Sequence, residues 1–189
     1  MKNALFFLFL SFILLQCKKD SGQDSIPDPP VHVPVLPLGQ AGVLKNGVAW
    51  EVPFDAWYYI GANAHERCFF IGKVLHPNLI SESFFLEDVP CKEGVYPIEY
   101  YRLSNSGNYT PEVFFTMISE FDQPIGDFKI DTMRNDHYVE VLRYDSVAHT
   151  IEGRFQMFLK KRQMTLQWPG VPDSIYFTEG KFHLQLEDP

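Results

Sequence analysis

The sequence predicts an all-β domain: a single antiparallel β-sandwich or closed β-barrel of about nine to ten strands, spanning residues 41–189. Three observations predict it. Apolar and polar residues alternate with a period of two through short segments, turn-forming residues recur about every eight to fifteen positions, and helical spacing is nowhere sustained. Asn46-Gly47, between Val43-Leu44-Lys45 and Val48-Ala49-Trp50-Glu51-Val52, suits a two-residue hairpin turn because both central residues take positive φ. Ala56, Tyr58 and Ile60 then alternate with Asp55, Trp57 and Tyr59, and Cys68, Phe70 and Val74 with Arg67, Ile71 and Lys73. Phe84 and Leu86, then Tyr96, Ile98 and Tyr100, then Val113, Phe115 and Met117 form further apolar rows, followed by Phe128, Ile130 and Thr132. Tyr138–Tyr144 and His149–Leu159 are joined by Asp145-Ser146, a natural turn start, and Tyr176–Leu186 ends the domain with Phe182, Leu184 and Leu186 on one face.

Composition narrows the function classes. The chain has 189 residues, 46% of them apolar, with 17 Phe, 9 Tyr and 3 Trp, so a packed core is expected rather than disorder. With 24 acidic against 16 basic side chains, the formal net charge is −8. A broad nucleic-acid surface needs a basic face, which this composition does not provide.

At the N-terminus, Met1-Lys2-Asn3 is a short positive end, Ala4–Leu15 is an apolar run, and Leu14-Leu15-Gln16-Cys17 closes it. A helix that crosses a bilayer needs about 20 apolar residues, so residues 1–16 read as a signal peptide. The segment resembles a bacterial lipoprotein signal, in which Cys17 becomes the acylated first residue of the mature chain. Gln16 departs from that pattern, which usually places a small residue before the cysteine; the alternative is a plain secretory signal cut elsewhere. The resemblance implies a membrane partner, engaged through acyl chains such as palmitate at about 0.8 kcal/mol per buried methylene. Cys17-Lys18-Lys19-Asp20 resembles the charged tags that send Bacteroidota lipoproteins to the outer face of the outer membrane. The localisation this implies is a lipid anchor in the outer membrane, with the cell surface ahead of the periplasmic face. Residues 17–40 then form a linker, because Pro27, Pro29, Pro30, Pro34 and Pro37 favour an extended chain.

Enzyme signatures are absent from the sequence. His65-Glu66 lacks a second histidine four residues after the first, Gly72-Lys73 and Gly180-Lys181 lack the rest of a phosphate loop, and neither a nucleophile elbow nor a dinucleotide fingerprint occurs. No catalytic residue, metal site or cofactor is therefore assigned. The carboxylate pairs Glu87 with Asp88 and Glu120 with Asp122 acquire meaning only from their separation across a cleft. His137 and His183 sit among polar neighbours and read as solvent-facing.

Cys68 and Cys91, 23 positions apart in an exported chain, are most simply a disulfide, with two buried thiols as the alternative. In Glu152-Gly153-Arg154-Phe155 and Glu179-Gly180-Lys181-Phe182, Gly and Phe share one face. Glycine in an inward row marks a bend, a bulge or the close approach of another side chain, or else it clears room for a ligand in a barrel mouth. Three aromatics stand out as ligand-contacting candidates: Trp57 and Tyr59 on a strand bearing rings on both faces, and Trp168 in the loop Gln167-Trp168-Pro169-Gly170.

Tyr144–Phe155, the closing Phe177-Thr178-Glu179-Gly180-Lys181-Phe182 and the opening Asn46-Gly47-Val48-Ala49-Trp50 are similar to phrases of uncharacterised Bacteroidota lipoprotein families. That resemblance implies an exported all-β lipoprotein and carries over no catalytic residue. Three readings of function stand at this level. The first is a non-enzymatic binding or interaction module with a glycan or protein partner. The others are a lipocalin-like carrier of a small apolar ligand and an envelope hydrolase with an unrecognised carboxylate site.

Overall fold

The computed structural model describes residues 36–60, 66–76, 80–99, 110–162 and 168–188. The signal segment, Cys17, nearly all of the linker and the Tyr100-Tyr101 pair lie outside the described residues.

Eleven strands form one sheet: β1 (Gln40–Lys45), β2 (Val48–Trp50), β3 (Phe54–Ile60), β4 (Glu66–Leu75), β5 (Ser81–Pro90), β6 (Gly94–Pro97), β7 (Glu112–Ile118), β8 (Pro124–Ile130), β9 (Tyr138–Asp145), β10 (Thr150–Lys161) and β11 (Ser174–Gln185). The order is β2-β1-β11-β10-β8-β7-β5-β4-β3, with β9 paired to both β10 and β6. Every strand pairing is antiparallel, and the sheet curls into a half-barrel. Beyond β11 the chain reaches β3: the Tyr58 amide donates to the Glu187 carbonyl at 2.8 Å, and the Glu187 amide to the Ala56 carbonyl at 3.0 Å. Among the described residues no helix is long and apolar enough to cross a membrane.

Local chemistry explains the first hairpin. Asn46 and Gly47 both have positive φ, 51° and 78°, as a two-residue turn between twisted strands requires. Asn46 is also clasped from the side, because the Tyr176 amide donates to its Oδ1 at 2.8 Å.

The inner face is aromatic. The Trp50 ring lies 5.4 Å from Phe177, 5.9 Å from Phe115 and 6.2 Å from both Phe54 and Phe84. Phe84 stacks 5.7 Å from Phe155, and Phe70 lies 5.1 Å from Phe182. Each such pair adds about 0.5–1.5 kcal/mol beyond its area burial. Glycine makes this density possible. Across β10 and β11, Gly153 pairs with Phe182 and Gly180 with Phe155, a reciprocal exchange in which each ring covers the other strand's glycine. The same arrangement recurs where Gly72 of β4 faces Phe54 of β3. The close approach of a side chain thus accounts for both Glu-Gly-basic-Phe segments, and the space above their glycines is filled by rings.

β10 serves two neighbours along one edge: its first half pairs with β9 and its last residues with β8. Between them residues 131–137 leave the ladder, and His137 closes the gap. The Phe158 amide donates to His137 Nδ1 at 3.2 Å, so Nδ1 is the unprotonated nitrogen and Nε2–H donates to the Asp131 carbonyl at 2.9 Å. His137 is therefore buried, at 5% exposure, and its solvent-facing assignment is corrected. Alternation misassigned it because the period-two register is interrupted before β9 begins. Thr132 is likewise outside the β8 row, which ends at Ile130. His183 is half-buried, with Nδ1 2.7 Å from the Leu36 carbonyl.

Cys68 of β4 and Cys91, just after β5, are bonded as a disulfide with Cα atoms 6.2 Å apart. Closing a loop of this length contributes about 3 kcal/mol by the chain-entropy account.

Substituting Gly153 with Ala places a methyl group against the Glu140 carbonyl and the Phe182 ring, and Gly180→Ala brings one within 2.6 Å of Phe155. Both substitutions are expected to destabilise the protein by about 2–3 kcal/mol, as overpacking does. Gly42→Ala, where nothing lies within 4 Å, is the control, with a change within about 0.5 kcal/mol. Urea midpoints of the three oxidised proteins measure the difference.

Candidate functional site

The outer face of β3, β4, β5 and β7 carries the candidate site. Alternation along β3 buries Phe54 and Ala56 and leaves Trp57 and Tyr59 half-buried on the opposite face. Register then lines up their neighbours: Trp57 faces Phe69, Tyr59 faces Arg67, Ile71 faces Phe85, and Phe85 faces Phe114. The Trp57 and Phe69 rings are 5.6 Å apart, and Phe69 and Phe85 are 6.3 Å apart, nearly parallel at 26°. The result is an open groove of about 520 Å³, lined by Trp57, Tyr58, Tyr59, Phe69, Ile71 and Glu87.

One end of this face is acidic. Glu87 of β5 stands directly opposite Glu112 of β7. Asp88, next to Glu87, takes a left-handed conformation with φ of 58° at a bulge, where β5 slips one residue against β4. The bulge places Glu87 and Asp88 together opposite Phe69. Tyr59 donates its hydroxyl to Asp88 Oδ1, and Arg67 Nη1 reaches the Asp88 carbonyl at 3.4 Å. Neither Glu87 nor Glu112 has a hydrogen bond or ion pair to another described residue. Burial, followed by the charges of Asp88 and Glu87, pushes Glu112 up to about 7, with Lys129 opposing only in part. Burial and Asp88 likewise raise Glu87 above its ordinary value.

The predicted aromatics separate into two places. Trp57 and Tyr59 share the groove, whereas Trp168 is half-buried in a different one of about 410 Å³, with Phe121, Ile125 and Val171 among its walls. Sequence reasoning selected neither Phe69 nor Phe85, whose roles follow from cross-strand pairing. It also missed Glu82, a buried carboxylate on the inner face that accepts from Lys45 Nζ and, at 2.8 Å, from Trp50 Nε1. His76 Nε2 lies 3.2 Å from the same oxygen. Burial works to raise the Glu82 pKa, but Lys45, His76 and Trp50 outweigh it and hold the carboxyl below its ordinary value. This cluster ties β1, β2 and β5 to His76, the residue just after β4, and has an internal partner for its charge.

Among the described residues, no group of three or more His, Cys, Asp or Glu side chains is arranged to hold a metal ion. No family model, no curated protein and no solved structure matches the chain.

The Glu112 shift carries a sign. Its folded pKa lies above the unfolded value of 4.5, so the folded state binds the proton more tightly. The associated stability is complete below pH 4.5 and is lost as pH rises through about 7. The thermal midpoint of the wild type should therefore fall between pH 5 and pH 8 relative to that of Glu112→Gln. Parallel melting curves for the two proteins across that window would exclude the raised pKa.

Proposed function

We propose that the chain is a lipid-anchored lipoprotein of the outer membrane whose all-β domain is a non-enzymatic binding module, recognising its partner at the outer-face groove of Trp57, Tyr59 and Phe69. The observation that carries this reading is the contrast between the two faces of the sheet. On the inner face, Trp50, Phe84, Phe115, Phe155 and Phe177 lie ring against ring at 5.3–6.2 Å, occupying the space an internal ligand would need. On the outer face, rings of comparable size remain half-exposed in a groove of about 520 Å³, within the roughly 300–1,000 Å³ range of ligand sites. A contiguous row of large apolar side chains on a solvent face, unlike scattered single ones, marks an interaction site or ligand groove.

The anchor and the groove are tested separately. Cys17→Ser in the full chain should move the protein from the membrane to the soluble fraction, and a processed variant that still fractionates with lipid overturns the anchor. For the groove, full chain carrying Trp57→Ala and Phe69→Ala should keep its thermal midpoint within a few degrees while losing binding on soluble glycan and small-ligand arrays that the wild type shows. Equal array binding by both proteins places recognition elsewhere.

A further inference from the structure

Among the described residues, acidic charge outweighs basic charge at one end of the groove. Like charges directly opposite on neighbouring strands destabilise a sheet, yet Glu87 faces Glu112 across β5 and β7, with Asp88 beside them. The Lys45–Glu82 pair shows what a balanced carboxylate looks like in this fold. At the groove the nearby cations are differently engaged: Arg67 reaches a backbone carbonyl, and Lys129 of β8 only partly offsets Glu112. The same site offers rings, whose faces attract cations and not anions.

We propose that the groove binds a small organic ammonium ion, its apolar body along Trp57, Phe69 and Ile71 and its charge at the carboxylates of Glu87 and Glu112. This rests on the outer-face reading above and names its ligand class. Charge complementarity selects a cation over a neutral sugar or an anion. The apolar body is required because most of the described lining is hydrocarbon, with Glu87 its one carboxylate and Glu112 directly opposite Glu87 on the adjoining strand β7. A small molecule fits better than a protein: the groove is confined to three neighbouring strands, whereas a stable protein interface buries about 800 Å² on each partner. An ammonium between the two glutamates relieves their repulsion, so binding strengthens as Glu112 loses its proton.

The test uses the full chain in detergent and follows the three tryptophan indole N–H signals by NMR, with Trp57 assigned from Trp57→Phe. Hexyltrimethylammonium is the probe. Hexanol, trilysine and a neutral oligosaccharide are the competing ligands. The expected result is that hexyltrimethylammonium alone shifts the Trp57 signal saturably, and that Glu87→Gln and Glu112→Gln, which preserve shape, each weaken its binding by about tenfold. Stronger binding at pH 8 than at pH 6 is expected in the wild type and not in Glu112→Gln. Unchanged affinity in the Glu87→Gln, Glu112→Gln double variant overturns the proposal, as does hexanol binding equally well. A Trp57 shift with the oligosaccharide or trilysine but not with the ammonium overturns the ligand class and leaves the groove standing. If no probe moves Trp57 while array ligands still bind the protein, both the proposal and the groove reading fail.

Discussion

The structure depends on how glycine and phenylalanine share the space inside the curl. A half-barrel has a narrow interior, and this chain fills it with large rings, so some strand positions on the inner face must have no side chain. Gly153 under Phe182 and Gly180 under Phe155 are two of those positions, placed symmetrically across the pair of longest strands. Because each ring lies on the neighbouring strand's glycine, the two strands are held close and bent together. The register slips beside Phe155 and Gly153 add local twist at the same place. A strand pair that curved and that closely packed sets the path of every strand after it, on through β8 and β7 to β3.

Filling the interior this way has a consequence for the other face. The rings inside satisfy the requirement for a core, so the aromatic row on the outside of β3, β4 and β5 is not needed to hold the sheet together. It is half-exposed, and it ends in carboxylates that, among the described residues, have no hydrogen-bond partner of the kind Glu82 has. Natural sequences break their own local rules mainly where another requirement acts. A glutamate opposite a glutamate, next to a tryptophan opposite a phenylalanine, is such a place.

Much of this was legible in the residues. Asn46-Gly47 announces its hairpin because few other dipeptides tolerate two positive φ values, and period-two rows such as Phe182, Leu184 and Leu186 announce their inner face because the pleat alternates. The Gly-Phe segments were legible as a bend, a bulge, a close approach or room for a ligand, and not as partners of one another, since pairing is a property of two strands and the alternation belongs to one. For the same reason Trp57 and Tyr59 stood out while Phe69 and Phe85 did not, and the opposition of Glu87 and Glu112 was hidden by their separation of 25 positions. His137 was misread because the chain leaves the ladder before it, which resets the parity. Glu82 gave no signal at all, because nothing in a strand marks which carboxylate will meet a lysine and an indole from another hairpin.

The bulge at Asp88 joins these separate features into one local design. Without the extra residue, strict alternation would put Asp88 on the inner face with Leu86 and send Val89 outward. The left-handed turn of Asp88 absorbs one position, so Val89 returns to the core opposite Cys68, and Cys91 comes within disulfide reach of it. The same step sets Glu87 and Asp88 side by side on the outer face, where Tyr59 and Arg67 engage Asp88 and leave Glu87 toward the groove. Asparagine and aspartate accept positive φ more readily than most residues, so aspartate fits the bend on conformational grounds. Burial, followed by its charge, raises the two glutamates beside it. One residue thus couples the covalent bond that stabilises the inner face to the electrostatic imbalance that makes the outer face suited to a cation.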